Sequence, residues 1–197
     1  QLYWRALVLD YFDGEQWSQQ YKPKVSWAGP SPPASDVSTT ASFEIILEPH
    51  EQRWLYSLGV SNPITKDIGV RGDGLLIAKD KVRNPWLYRA VADFDAHLNT
   101  GGLSKRERFA YLQVPKVGNE ESQQFARKLK QELISPLLMV DALRQFIGGQ
   151  KFTYTLSPGA LDSDSTIDEF LFESQRGFCA HFAGSVVYLL RAAGIPS

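Results

Sequence analysis

Hydrophobic and polar positions along the first half of the chain repeat with a period of two. Phe43, Ile45 and Leu47 alternate with Glu44 and Glu48, and Trp86, Tyr88, Ala90, Ala92 and Phe94 alternate with Arg89, Asp93 and Asp95. This is the pattern of half-buried strands, and it predicts a β-rich N-terminal region. Trp4 to Tyr11 is apolar on both faces and predicts an inner strand, which Asp13-Gly14 turns back through Glu15-Gln16-Trp17 as a hairpin or tight bend. Pro30-Ser31-Pro32-Pro33-Ala34-Ser35-Asp36, with Ser38-Thr39-Thr40, predicts a mobile surface loop, because proline removes donors and small polar residues compete with strand ladders.

After Val114-Pro115 the period lengthens. Asn119 is placed to cap a helix whose Phe125, Leu129 and Leu133 recur every four residues, and Ser135-Pro136 opens a second in the favoured cap-plus-proline order. The face of that second helix is Met139, Leu143, Phe146 and Ile147, and Gly148-Gly149 closes it. A short extended piece follows from Phe152 to Leu156, ended by Pro158-Gly159. Thr166-Ile167-Asp168-Glu169 then fits a capping box opening a short helix from Ile167 to Glu173. The change of period sets a domain boundary near Val117 to Asn119, giving residues 1–117 as a β-rich domain and 118–197 as a helical one.

Composition narrows the class of function. With 197 residues, 43% of them hydrophobic and 22% charged, the chain is a folded protein rather than a low-complexity one. A formal net charge of −1 and the lack of a Lys/Arg block argue against nucleic acid or an anionic membrane surface as the main partner. No apolar run reaches the length of a membrane span and no signal peptide is visible at Gln1 to Leu7. Gln1 at one end and Gly194-Ile195-Pro196-Ser197 at the other lead to the expectation of a piece cut from a longer chain. With Cys179 as the one cysteine, an intrachain disulfide is impossible and a thiolate zinc site would need nearly every ligand from other residues. Cys179 is therefore either a buried filler or a nucleophile.

Gly177-Phe178 separates the short helix from a longer one that begins at Cys179. Phe182, Val186, Leu189, Leu190 and Ala193 form a stripe along it, and Arg191 falls opposite Phe182. The spacing predicts a helix packed along one side, with Cys179 about 60° from Phe182 and its sulfur turned toward the interior. Unpaired N–H groups and the positive end of the helix dipole stabilise a thiolate in a first turn. The same N–H groups can receive a developing oxyanion. Against this stands the plain alternative that a free cysteine often acts as a small hydrophobe.

The segment Thr166 to Ser197, with Gly177-Phe178-Cys179-Ala180-His181-Phe182-Ala183 at its centre, resembles the cysteine-helix motif of bacterial transglutaminase-like domains. The resemblance extends to Phe152-Thr153-Tyr154 and, near the N-terminus, to Trp4-Arg5-Ala6-Leu7 and Tyr11-Phe12-Asp13-Gly14-Glu15-Gln16-Trp17, which look like the β-rich region of TgpA-type inner-membrane proteins. Lys22 to Pro115 carries no readable motif. What the resemblance implies is an α+β fold: an N-terminal β-rich domain followed by the helical half of a transglutaminase-like (papain-like) core, truncated before its catalytic sheet. It also implies a cysteine enzyme that forms a thioester with a peptide or protein carboxamide and passes the acyl group to an amine or water. Cys179 maps onto the nucleophile, and Tyr154 and Phe178 are substrate-pocket candidates. The family's His and Asp would lie beyond Ser197, leaving these residues catalytically incomplete. No cofactor or metal is expected. The expected partner is a protein or peptide substrate, and the expected location is the periplasmic side of a bacterial inner membrane, reached only through transmembrane segments outside these residues.

Other candidates are weaker. His181 is two residues from Cys179, about 200° around a helix, so it cannot exchange a proton with it and reads as a packing or supporting residue. His50 and His97 read as loop or edge residues. Asp162, Asp164, Thr166, Asp168 and Glu173 match the outer positions of a calcium loop, but Ile167 stands where glycine is required. Two further functions remain open on sequence alone: an inactive peptide-binding module on the same fold, and a β-rich docking domain.

Overall fold

A computed structural model describes residues 3–27, 39–98, 101–161 and 163–197. The chain divides into two compact units, Gln1–Val8 with Lys22–Leu103, and Leu9–Tyr21 with Ser104–Ser197. Residues 9–21 and 104–117 thus belong with the helices and not with the β-rich part, where a boundary at residue 117 would put them.

The strand-rich unit is built on the two alternating segments. β5 (Thr40–Leu47) and β10 (Trp86–Asp93) pair antiparallel over their full length, from Trp86 opposite Leu47 to Asp93 opposite Thr40. β7 (Val60–Pro63) lies on the other side of β10. Tyr88, Ala90 and Ala92 are buried, as their period demands, and the Tyr88 hydroxyl donates to the Tyr56 carbonyl at 2.8 Å. Phe94 breaks the alternation and is exposed, because the Asp93 carboxylate accepts from the Asp95 and Ala96 N–H groups and ends the strand in a turn. A second small sheet joins β4 (Val25–Ser26), β8 (Ile68–Arg71) and β9 (Leu76–Ala78), and β1 (Trp4–Arg5) pairs with β6 (Ser57–Leu58). Leu47, Leu55, Ile68, Leu76 and Val82 close the core between them. The expected loop from Pro30 to Ser38 lies outside the described residues, while Thr40 already opens β5.

The single inner strand expected from Trp4 to Tyr11 does not form. Pairing changes partner within it: β1 bonds to β6, whereas β2 (Tyr11–Phe12) folds back on β3 (Trp17–Ser18) through the Asp13-Gly14 turn. The Asp13 carboxylate accepts from the Glu15 and Gln16 N–H groups, which fixes that turn and holds its carboxyl below the usual carboxylate range. Leu7 and Leu9, between the two pairings, are exposed.

In the helical unit, α1 (Lys105–Ala110) carries a capping box in which Ser104 and Glu107 exchange hydrogen bonds. α2 (Glu120–Glu132) and α3 (Pro136–Gly149) fall where the four-residue period predicts them. The short helix α4 (Thr166–Asp168) widens into a π-helical turn over Glu169–Ser174. β11 (Thr153–Tyr154) and β12 (Arg176–Gly177) pair in parallel, and β12 leads through Phe178 into α5 (Cys179–Ala192). The core is made of Ala126, Met139, Leu143, Phe170, Tyr188 and Leu189, with Phe12 and Trp17 of the β2–β3 hairpin packed in. Gln113 fastens the hairpin by both accepting from the Phe12 N–H and donating to the Phe12 carbonyl.

The expected caps are redistributed. Thr166 does not cap its own helix; its hydroxyl donates to the Gly14 carbonyl at 2.8 Å. Asn119 makes no side-chain cap on α2 and instead accepts from Ile167 and Asp168 at the start of α4.

Candidate active site

The site is organised by the junction of β12 and α5. Gly177 is forced by proximity, since a Cβ there would lie 2.7 Å from the Phe170 ring and 2.8 Å from the His181 Cβ. Phe178 stands in extended conformation as the cap residue of α5 and has no side-chain acceptor to offer. His181 supplies one in its place: its Nδ1 accepts from the Phe178 N–H at 3.3 Å, the reverse half of a capping box. Burial pushes its imidazole below the ordinary value. His181 is therefore a supporting residue of the turn that carries the thiol.

Cys179 is exposed. The sulfur expected to face the interior does not: the buried residues of α5, Gly184, Ser185 and Tyr188 to Arg191, all lie in its later turns, and although Leu190 shares the line of Cys179 along the helix, the first turn stands clear of the core. The filler alternative fails on this observation. At the start of a helix the leading amides lack the usual helical acceptor, and with the Phe178 N–H on the His181 ring and the His181 N–H on the Phe178 carbonyl, those left beside the thiol are the Cys179 and Ala180 N–H groups.

Arg191 is the second correction to the single packed stripe. It falls opposite Phe182, yet only 4% of it is accessible. Its guanidinium donates to the carbonyls of Asp10, Gln113 and Ser197 and lies over the Trp17 ring at 5.0 Å. Burial pushes it down to about 10. Gly184 lets Trp17 approach, for a Cβ there would stand 2.7 Å from the indole nitrogen. The signal available in the sequence is a glycine inside an otherwise continuous helix.

The three residues singled out from sequence separate into two groups. Phe178 packs edge-on against His181 at 4.4 Å and, with Ala180, Gly184, Trp17 and Ile167, lines an open cleft of about 720 Å³. Tyr154 is 62% exposed and stacks on Phe182, with ring centroids 6.3 Å apart and planes 14° apart. Phe182 is three residues from Cys179, the spacing of neighbours on one helix face. Tyr154 and Cys179 thus share a side of α5, and the cleft with Phe178 lies on another. Phe182 is the residue that reveals this. In the strand-rich unit His50 stacks on Trp54 at 4.1 Å and His97 is exposed. Arg176 is exposed. Among the described residues no three of His, Cys, Asp and Glu converge as a metal cage. Asp168, one member of the calcium-like spacing, has both oxygens engaged by the Glu121 and Ser122 N–H groups.

Residues 1–96 match the TgpA N-terminal domain and residues 123–197 match the transglutaminase-like superfamily. The crystal structure of the periplasmic domain of TgpA from Pseudomonas aeruginosa superposes with a TM-score of 0.88 at 34% identity, over 100% of this chain and 66% of that one. The chain belongs to the TgpA-type transglutaminase-like family. A second structure of that domain, bound to ethylmercury, gives a TM-score of 0.87 at 34% identity over 68% of its length. Across 201 residues the chain is 34% identical to a Pseudomonas aeruginosa protein named protein-glutamine gamma-glutamyltransferase, and it spans 29% of that relative's length. It is also 34% identical over 89 residues to the Bacillus subtilis protein YebA, covering 44% of this chain and 12% of that one. The mixed strand-and-helix fold and the transglutaminase-like core agree with the resemblance read from Thr166 to Ser197. No helix among the described residues is long and apolar enough to cross a membrane.

Proposed function

We propose that this chain is the nucleophile-bearing part of a periplasmic transglutaminase-like acyltransferase, with Cys179 as the attacking group. The thiolate adds to the carbonyl carbon of a glutamine-type carboxamide, forming a carbon–sulfur bond. The oxyanion is received by the first-turn amides of α5, and the C–N bond breaks as the base returns to the leaving nitrogen the proton it took from the thiol, releasing ammonia. An amine or water then attacks the thioester, the carbon–sulfur bond breaks, and the thiol is restored. The observation that carries this reading is an exposed Cys179 in the first turn of a helix whose later turns, from Gly184 to Arg191, are packed into the core. His181, engaged by the Phe178 N–H, is not the general base. The base and its orienting carboxylate come, in this reading, from a His and an Asp outside these 197 residues. The longer protein carrying Cys179→Ala is expected to lose transfer of a fluorescent amine to a glutamine-containing protein. Retention of that transfer refutes Cys179 as the nucleophile. Peptide binding by a wild-type protein that never forms a thioester favours the inactive binding module instead.

A further inference from the structure

β11 presents an open edge on the side away from β12. Its Thr153 N–H donates to the Gln175 carbonyl and the following Thr155 N–H to the Gly177 carbonyl, both at 2.8 Å. In a strand, successive backbone groups point to opposite edges, so the Tyr154 N–H and C=O face away from β12. Neither has a partner among the described residues. Natural sheet edges are blunted by charges, prolines or bulges. From Phe152 to Leu156 this one has no charge and no proline, and it shows Tyr154 at 62% exposure, with Leu156 at 78% in the bend just beyond it. The register sets Tyr154 opposite Gly177, two residues before Cys179, and the Tyr154 ring rests on Phe182 one turn along from the thiol.

We infer that the peptide carrying the reacting carboxamide binds as an added strand on β11, hydrogen-bonded to the N–H and C=O of Tyr154, with alternate apolar side chains against Tyr154 and Leu156. This rests on the reading of Cys179 as nucleophile and adds the substrate class: an extended segment, recognised through its backbone, and not a loop or a folded surface. A strand on that edge lies about 4.8 Å from β11, with the Tyr154 ring between it and Phe182 of α5 as the link toward the thiol.

The test uses the Cys179→Ala form of the longer protein, so that binding is read without chemistry, and the blocked pentapeptide acetyl-Thr-Val-Gln-Val-Thr-amide. N-methylation of alternate peptide amides is expected to abolish binding on one edge of the peptide and leave it unchanged on the other. In the protein, Tyr154→Val keeps the outward N–H while Tyr154→Pro removes it without touching the bonds to β12. The proline form is expected to bind roughly tenfold more weakly than the valine form. The Tyr154 amide is expected to exchange with solvent in the free protein and become protected on binding. Insensitivity to which amides are methylated, equal affinity of the two variants, or a Tyr154 amide already protected without peptide overturns the inference. Because the methylation series leaves the protein unchanged, it decides the matter even if Tyr154→Pro fails to fold. Thioester formation in wild-type protein is scored separately, so loss of the strand mode and loss of the nucleophile are told apart.

Discussion

Asn119 and Asp168 cap each other's helices. The Asn119 Oδ1 accepts from the Ile167 and Asp168 N–H groups at 2.8 and 3.2 Å, and the Asp168 carboxylate accepts from Glu121 and Ser122 at 3.0 and 2.7 Å. Two helix starts far apart in sequence are thereby tied into one junction, with Asn119 fully buried and left-handed at φ 57°. Gly118 in front of it admits the Asp164 carbonyl, which would lie 2.1 Å from any Cβ placed there.

Removing the Asn119 side chain is expected to cost about 1–3 kcal/mol, the range for losing a cap and leaving buried amides unpaired. Asn119→Gly keeps the left-handed backbone accessible, so it isolates the cap from strain. Urea unfolding of Asn119→Gly, Asp168→Ala and the double variant is expected to show a double-variant loss smaller than the sum of the single losses, because both caps serve one junction. Full additivity contradicts a shared junction.

Stability is expected to fall in mild acid through His181. Burial holds its imidazole below the ordinary value of about 6.5, so the unfolded chain takes up a proton at higher pH than the folded one. The stabilisation is complete above about pH 6.5 and is lost as the pH falls through the lowered folded value. His181→Gln keeps an acceptor at the third helical position and cannot titrate. Thermal melts between about pH 7.5 and pH 5 are expected to flatten in that variant, and an unchanged slope contradicts the assignment.

Arg191 is expected to be among the least replaceable charges in the helical unit. Arg191→Met keeps length and apolar contact with Trp17 but abandons three carbonyls, at a cost of about 2–4 kcal/mol. Denaturant unfolding measures it, and a loss below about 1 kcal/mol contradicts the role given to the guanidinium.

Periodicity is enough for α2, α3, β5 and β10, because each buries one face over eight residues or more and the pattern records that face. It fails where burial depends on distant partners. The two-residue strands β4 and β6 have too little length for a period, and α1 has no buried face to record, although Ser104 and Glu107 carry its capping box in plain view. At the site, Cys179 is readable from its motif, and its exposure is not, since Leu190 on the same line of α5 is buried and only the packing of the later turns tells the two apart. Arg191 escapes a sequence reading for the same reason: a charged residue reads as solvated until three carbonyls converge on it.

Whether the first turn of α5 makes Cys179 a nucleophile is measured most directly by its rate of alkylation. Iodoacetamide near neutral pH, followed by intact mass, is applied to the folded chain and to the same chain unfolded in urea. With one cysteine in the sequence, each reaction reports on Cys179 alone. The folded protein is expected to react several-fold faster than the unfolded one, since exposure alone would only equalise them. A folded-state rate equal to or below the unfolded rate contradicts a nucleophilic Cys179.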